Sequence, residues 1–218
     1  ISGVTTVTGG ITNNNNGSIT ISNSSTGALA IGGTLENDGS LTLSGSTTNA
    51  VMTGAGSFTN GATGTLTTHG GTPTVTTFTT SASGNTVEYV GADQTCRNVG
   101  YHHLVFSGSG TKTCATTSIA GNLTMNGTTT WTLGGALAIQ GNAVMNDTSS
   151  LYANGYNLTI GGTTTLNGGA IYYLCSSSQT GNFEDASTWT ACGGVVPQAG
   201  GTATIEAGHT VTVSDTRS

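Results

Sequence analysis

Gly121-Asn122-Leu123-Thr124-Met125-Asn126-Gly127 returns as Gly141-Asn142-Ala143-Val144-Met145-Asn146-Asp147, and again as Gly162-Thr163-Thr164-Thr165-Leu166-Asn167-Gly168. The leading glycines are 20 and then 21 residues apart, and Trp131, Leu151 and Ile171 recur every 20. Leu137-Ala138-Ile139 recurs as Leu158-Thr159-Ile160. Each unit holds short runs in which apolar and polar residues alternate, broken by Gly or Asn. Period-2 alternation with such punctuation reads as strands and turns. A repeat of this length made only of strands reads as one coil of a solenoid, because a single unit cannot bury its apolar face alone. The pattern predicts an all-β chain, a right-handed parallel β-solenoid (β-helix), the hand being that of parallel β connections. Leu123, Met125, Leu137, Ile139, Val144, Leu158, Ile160 and Leu166 are expected to point inward.

Outward from this stretch the repeat loosens. Gly17-Ser18-Ile19-Thr20-Ile21 is echoed by Gly39-Ser40-Leu41-Thr42-Leu43 and then by Gly64-Thr65-Leu66-Thr67-Thr68. Thr34-Leu35-Glu36-Asn37 pairs with Ser57-Phe58-Thr59-Asn60. These are longer coils, and about eight coils are expected over residues 1–174. Thr72 to Thr80 is a β-branched run that should be extended, with Pro73 where no ladder N–H is needed. Cys175 to Thr180 reads as a Ser-rich linker. Residues 175–218 form a separate small C-terminal β module, a connector between subunits or repeats.

The C-terminal residues carry a resemblance. Gly181-Asn182-Phe183, Thr188-Trp189, Gly193-Gly194, Val196-Pro197, Ala203-Thr204-Ile205 and Gly208-His209-Thr210-Val211-Thr212-Val213 resemble a segment of large secreted bacterial β-solenoid surface and filament proteins. The segment is similar to the opening of the eight-glycine extracellular domain. Phe183 stands where that family usually has Trp, and Cys192 is an addition. The resemblance implies an extracellular or cell-surface location and a structural or adhesive role, and it brings no catalytic residues.

The chain has 36 glycines, 6% charged residues and a formal net charge of −6. That charge argues against nucleic acid, which needs a basic face. No run of about 20 apolar residues is present to span a membrane as a helix. A surface so poor in charge favours association, since charge keeps soluble monomers apart. The chain begins at Ile1 without Met or signal peptide, which reads as a processed chain or a piece of a longer one.

Cys96 and Cys114 are 18 residues apart, and Cys175 and Cys192 are 17 apart. Equivalent positions of stacked coils lie about 4.8 Å apart, inside the usual Cα separation of a disulfide. The bridges Cys96–Cys114 and Cys175–Cys192 are therefore expected, in an oxidising compartment.

The sequence offers little chemistry. Glu36 with Asp38, and Glu184 with Asp185, are the only close carboxylate sets, and glycoside hydrolysis needs two carboxylates across a cleft. His102 and His103 point to opposite faces of a strand and do not share one ion. We expect no catalytic, metal or cofactor-binding residues. Trp131, Tyr152, Tyr156, Tyr172 and Tyr173 cluster in the tight coils and are expected in core or inter-coil packing, with a carbohydrate-contacting strip as the alternative.

The expected function is a structural subunit of an extracellular filament, sheath or surface fibre, built head-to-tail from copies of itself. The alternatives are a stalk segment of a large adhesin, contacting carbohydrate or a cell surface, and then an ice-binding or polysaccharide-active β-helix. The assembly residues are Ile1, Val4, Val7 and Ile11 of the first coil, and Ile205, Val211 and Val213 near the other end. No charged residue precedes Glu36, so nothing there blunts a strand edge.

Overall fold

The computed structural model describes residues 5–23, 28–45, 51–190, 192, 196–197 and 202–213. The path is a coil of short strands. The first three coils each carry three: β1 (Thr5–Val7), β2 (Ile11–Asn13) and β3 (Ser18–Asn23); β4 (Ala28–Ile31), β5 (Thr34–Asn37) and β6 (Ser40–Gly45); β7 (Val51–Thr53), β8 (Ser57–Asn60) and β9 (Thr65–Thr68). There follow β10 (Thr77–Thr79), β11 (Thr86–Tyr89) and β12 (Gln94–Thr95), then β13 (His103–Phe106), β14 (Ser109–Thr113) and β15 (Ser118–Ile119). The tight coils hold β16 (Leu123–Met125), β17 (Thr128–Thr132) and β18 (Leu137–Ile139), then β19 (Ala143–Asn146), β20 (Ser150–Tyr152) and β21 (Leu158–Ile160), and finally β22 (Thr164–Asn167) and β23 (Ala170–Tyr172).

Every pairing among these strands is parallel and joins one coil to the next. The result is a three-sided parallel β-solenoid. Face C is one sheet of eight strands, β3-β6-β9-β11-β13-β16-β19-β22, so the path makes about seven turns from first to last. Face B runs through β2, β5, β8 and β10, then through the bridges of Tyr101 to Thr80 and Ile119, into β15, β18 and β21. Face A begins with β1, β4 and β7. Residues 72–76 continue it, with the Thr74 N–H donating to the Met52 carbonyl at 2.7 Å and the Thr72 hydroxyl to the Thr95 carbonyl at 2.8 Å. It then runs on through β12, β14, β17, β20 and β23. Of the expected extended run at Thr72–Thr80, strand proper is β10, and Pro73 offers its carbonyl to Arg97 Nη1 at 2.9 Å.

Alternation sets the core. In face C the inward positions Leu41, Leu66, Val87, Leu104, Leu123 and Ala143 form one column, all buried. Burying each large side chain in such a column stabilises the fold by about 1.5–3 kcal/mol. Leu123, Met125, Leu137, Ile139 and Leu158 are buried as expected, and Ile160 packs partly buried against them. Val144 is the exception. It pairs with Thr124 and Thr165 on the outward side, while its neighbours Ala143 and Met145 are buried. The physical reason is register: Met125 and Met145 occupy one column, so the residue between Ala143 and Met145 must face out.

Asparagine rungs hold the turns. Asn13 Nδ2 donates to Asn37 Oδ1 at 2.7 Å, and Asn37 Nδ2 to Asn60 Oδ1 at 2.8 Å, all three carboxamides being buried. A second, outer ladder joins Asn126, Asn146 and Asn167 at 2.7 and 2.9 Å. Each of the three amides also donates to the carbonyl of the residue that opens a face C strand: Asn13 to Ser40, Asn37 to Thr65 and Asn60 to Thr86. That is how a corner with no helix keeps its polar groups paired. Gly127, at φ +68°, turns where a Cβ would run into the Gly108 carbonyl of the coil below, a position suited to glycine; one coil up the same corner holds Asp147 at φ +56°.

The C-terminal module has its own sheet, β24 (Leu174–Ser177) between β26 (Trp189–Thr190) and β27 (Thr202–Thr204), and a ribbon of β25 (Gly181–Asn182) with β28 (Val211–Thr212). Cys175, Trp189 and Cys192 form its small core, with Tyr173 touching both cores. The expected linker is thus a strand at its start. Cys175 and Ser177 alternate inward, and Ser177 Oγ accepts the Glu206 N–H at 2.9 Å. Asp185 caps a single 3-10 turn at Ala186–Thr188.

Candidate functional site at the ends of the solenoid

The last coil leaves its core open. Leu166 stacks on buried Met145, yet is 55% exposed, and all four residues of β22 are exposed. Ile160 and Ile171, on the top strands of faces B and A, are partly buried. Leu166 was expected inside. It does occupy the core column, but among the described residues no later strand covers it, because β24 pairs with β26 and β27 in a separate sheet. No charged residue lies between Asp147 and Glu184, so this edge carries none of the lysines that usually blunt one.

At the first coil, Ile11 is 38% exposed, and Ile19 and Ile21 are partly buried against the core. Val7 is different from expectation: it is 7% exposed, packed on Ile31 of the coil above, and offers little surface. Ile1 and Val4 lie outside the described residues. At the far end Ile205 and Val213 are 54% and 65% exposed, but neither is in a strand, and Val211 packs against the module core. The strands beside them, β27 and β28, are already paired with β24 and β25. The structure therefore gathers the open core at β21, β22 and β23, which sequence reasoning passed over. Its signal was present in the run of inward positions that stops at Leu166 and Ile171 without a following repeat.

Both disulfides form. Cys96–Cys114 directly follows the Thr95–Thr113 pairing of β12 with β14, with Cα atoms 4.9 Å apart, and staples two coils of face A. Cys175–Cys192 has the same separation and ties β24 to the segment after β26.

Between these features lies an unexpected buried charge. Lys112 is fully buried on face A, between Gln94 below and Trp131 above. Its Nζ donates to the carbonyls of Gly91, Ala92 and Ser109 and to Gln94 Oε1. Burial pulls its pKa down from 10.5 to about 8, with Asp93 working in the opposite direction. Nearby, Tyr101 donates to the Arg97 carbonyl at 2.6 Å, and the Tyr89 hydroxyl, 3.0 Å from that of Tyr101, accepts the Arg97 N–H. Burial raises the pKa of both phenols. These groups tie residues 91–101, β12 among them, into the coil.

His102 and His103 accept the N–H groups of Gly84 and Asn122 at 3.1 and 3.0 Å and so serve the turns. Among the described residues no group of three or more His, Cys, Asp or Glu side chains is placed to hold a metal ion. Of the aromatics, Trp131 is core, whereas Tyr152 and Tyr172 stack outside face A with ring centres 4.7 Å apart. They line a cleft of about 200 Å³ with Thr132, Asn154, Tyr173, Leu174 and Thr202. A larger groove of about 500 Å³ runs past the Cys96–Cys114 bridge, lined by threonines, glycines and alanines with Leu133. Among the described residues no helix is long and apolar enough to cross a membrane. No family model matches the chain, and no curated protein or solved structure shows significant similarity to it.

Proposed function

We propose that this chain is a structural subunit of an extracellular filament, sheath or surface fibre, joined head-to-tail through the strand edges of its solenoid. The observation that carries this reading is the open last coil: Leu166 sits in a core column, more than half exposed, on an edge with no charge. A terminal strand presents a row of unpaired N–H and C=O groups, and parallel strand addition satisfies them. A contact between two different faces of the same chain is heterologous and propagates into a fibre. The two disulfides fit an oxidising, extracellular compartment, as does the resemblance to secreted bacterial surface proteins.

Purified chain concentrated at low ionic strength should form unbranched filaments by electron microscopy, and Leu166→Lys should leave folded, soluble monomers. A wild-type chain that sediments as a monomer at every concentration counts against the reading. The second reading is an adhesin stalk, in which the same contact joins successive solenoid units of one longer polypeptide. The exposed Tyr152–Tyr172 stack favours it, since aromatic faces suit carbohydrate. Binding of soluble polysaccharide, lost in Tyr152→Ala, would support it.

A further inference from the structure

We propose that His102 and His103 form an acid-sensitive clamp at the corner between faces B and C. As neutral rings they hold one turn of the coil below and one of the coil above, and protonation releases both. The pair stands half-buried at the start of β13. His102 Nδ1 accepts the Gly84 N–H of the coil below at 3.1 Å, and His103 Nδ1 accepts the Asn122 N–H of the coil above at 3.0 Å. An imidazole nitrogen accepts only while it carries no proton. Both rings are therefore the tautomer with its hydrogen on Nε2, and His102 Nε2 donates that hydrogen to Ser83 Oγ at 3.4 Å.

The coils above show what His103 replaces. Asn122 Oδ1 accepts the Asn142 N–H at 2.9 Å, and Asn142 Oδ1 accepts the Thr163 N–H at 2.8 Å. His103, Asn122, Asn142 and Thr163 immediately precede Leu104, Leu123, Ala143 and Thr164, which stack in register. The corner thus carries a ladder of side-chain acceptors, each taking the N–H of the next coil. A carboxamide does not titrate, whereas an imidazole takes up a proton in mild acid. His103 is the rung of this ladder that acid can switch.

The surroundings disfavour the charged ring. Burial, and then the neighbouring His102, pull the His103 pKa below its ordinary value. The two rings lie edge to face with centres 4.3 Å apart, so two imidazolium ions would repel. The turns at 81–85 and 120–122 and the strands β10, β15 and β16 bring no ionisable side chain. β11 brings Glu88, which accepts the hydroxyls of Ser107 at 2.6 Å and Thr67 at 3.5 Å, and Tyr89, which with Tyr101 is a buried phenol. Because the folded pKa of His103 is depressed, the released state binds the proton more readily. The clamp is fully closed above about pH 6.5 and is lost as the pH falls through the lower folded value. The stack itself stays: the His102 N–H still donates to the Thr80 carbonyl at 3.1 Å, and the Gly121 N–H to the His102 carbonyl at 2.7 Å.

Hydrogen exchange of the full chain, resolved to single amides and corrected for the intrinsic effect of pH, tests the clamp at about pH 7.5 and about pH 4.5, either side of the ordinary histidine value. Protection of the Gly84 and Asn122 amides should fall about tenfold at the lower pH, the factor for one ordinary hydrogen bond. Asn142 and Thr163, held by carboxamides, should keep theirs. His103→Asn copies the rung above it, and Asn122 should then stay protected at both pH values. Unchanged protection of Gly84 and Asn122 in the wild type would overturn the clamp. So would an equal loss at Asn142 and Thr163, which reports a general loosening in acid, or an Asn122 amide that still loses protection in His103→Asn.

Discussion

Lys112→Met separates the cost of burying an ammonium from the rest of the fold's stability. In the native chain the Nζ lies inside the solenoid, with a pKa near 8 against 10.5 for the ordinary group. Below about pH 8 native and unfolded chains both carry the proton, and the native state bears the full burial cost. Between about pH 8 and 10.5 the native lysine is neutral while the unfolded one stays charged, so the unfolded state binds more protons and stability rises with pH. With these two values, linkage gives a gain of about 2 kcal/mol between about pH 7 and about pH 9.5. Tyr89 and Tyr101 act in the opposite sense, because their raised native pKa values let the unfolded phenols ionise first above about pH 10. Stability should therefore climb, peak near pH 10 and fall. Denaturant midpoints measured with both disulfides intact read this directly. In Lys112→Met the climb should vanish. At pH 7 the variant should be less stable by about 1–3 kcal/mol, because the carbonyls of Gly91, Ala92 and Ser109 lose their donor. A wild-type midpoint flat from pH 7 to 9.5, or a Met variant that still climbs, would refute the reasoning.

Met145→Ala should cost about 2–5 kcal/mol by opening a cavity in the face C column, whereas the outward Val144→Thr should stay within about 0.5 kcal/mol; equal effects in thermal melts would put the register in error. Asn37→Ala removes one rung of the buried ladder, taking one of its two acceptors from Asn13 Nδ2 and the donor from Asn60 Oδ1. A loss of about 2–3 kcal/mol is expected in chemical unfolding, with Asn37→Asp no better, since a carboxylate cannot donate to Asn60. Replacing Cys96 and Cys114 together by serine should lower stability by about 3 kcal/mol through the loop it frees. Intact mass before and after reduction of the wild type should differ by four hydrogens.

The sequence by itself determined the class of fold and most of its register. The three echoes from Gly121 to Gly168 repeat at one coil, and alternation within each strand assigns inward and outward sides without reference to partners. The spacing of Cys96 and Cys114 also named their bridge, because parallel stacking converts one coil of sequence into one strand spacing. What remained hidden depends on contacts between residues distant along the chain. Val144 faces outward because Met145 must stack on Met125, a choice that composition cannot make between two adjacent apolar residues. Lys112 reads as a surface lysine in Thr111-Lys112-Thr113 and is buried because the carbonyls of Gly91, Ala92 and Ser109 close around it. Leu166 reads as core and stands open because no later strand covers it among the described residues, β24 pairing with β26 and β27 in a separate sheet. Periodicity is local and survives in the sequence; the end of a stack is set by where the next strand goes, and only the tertiary structure decides that.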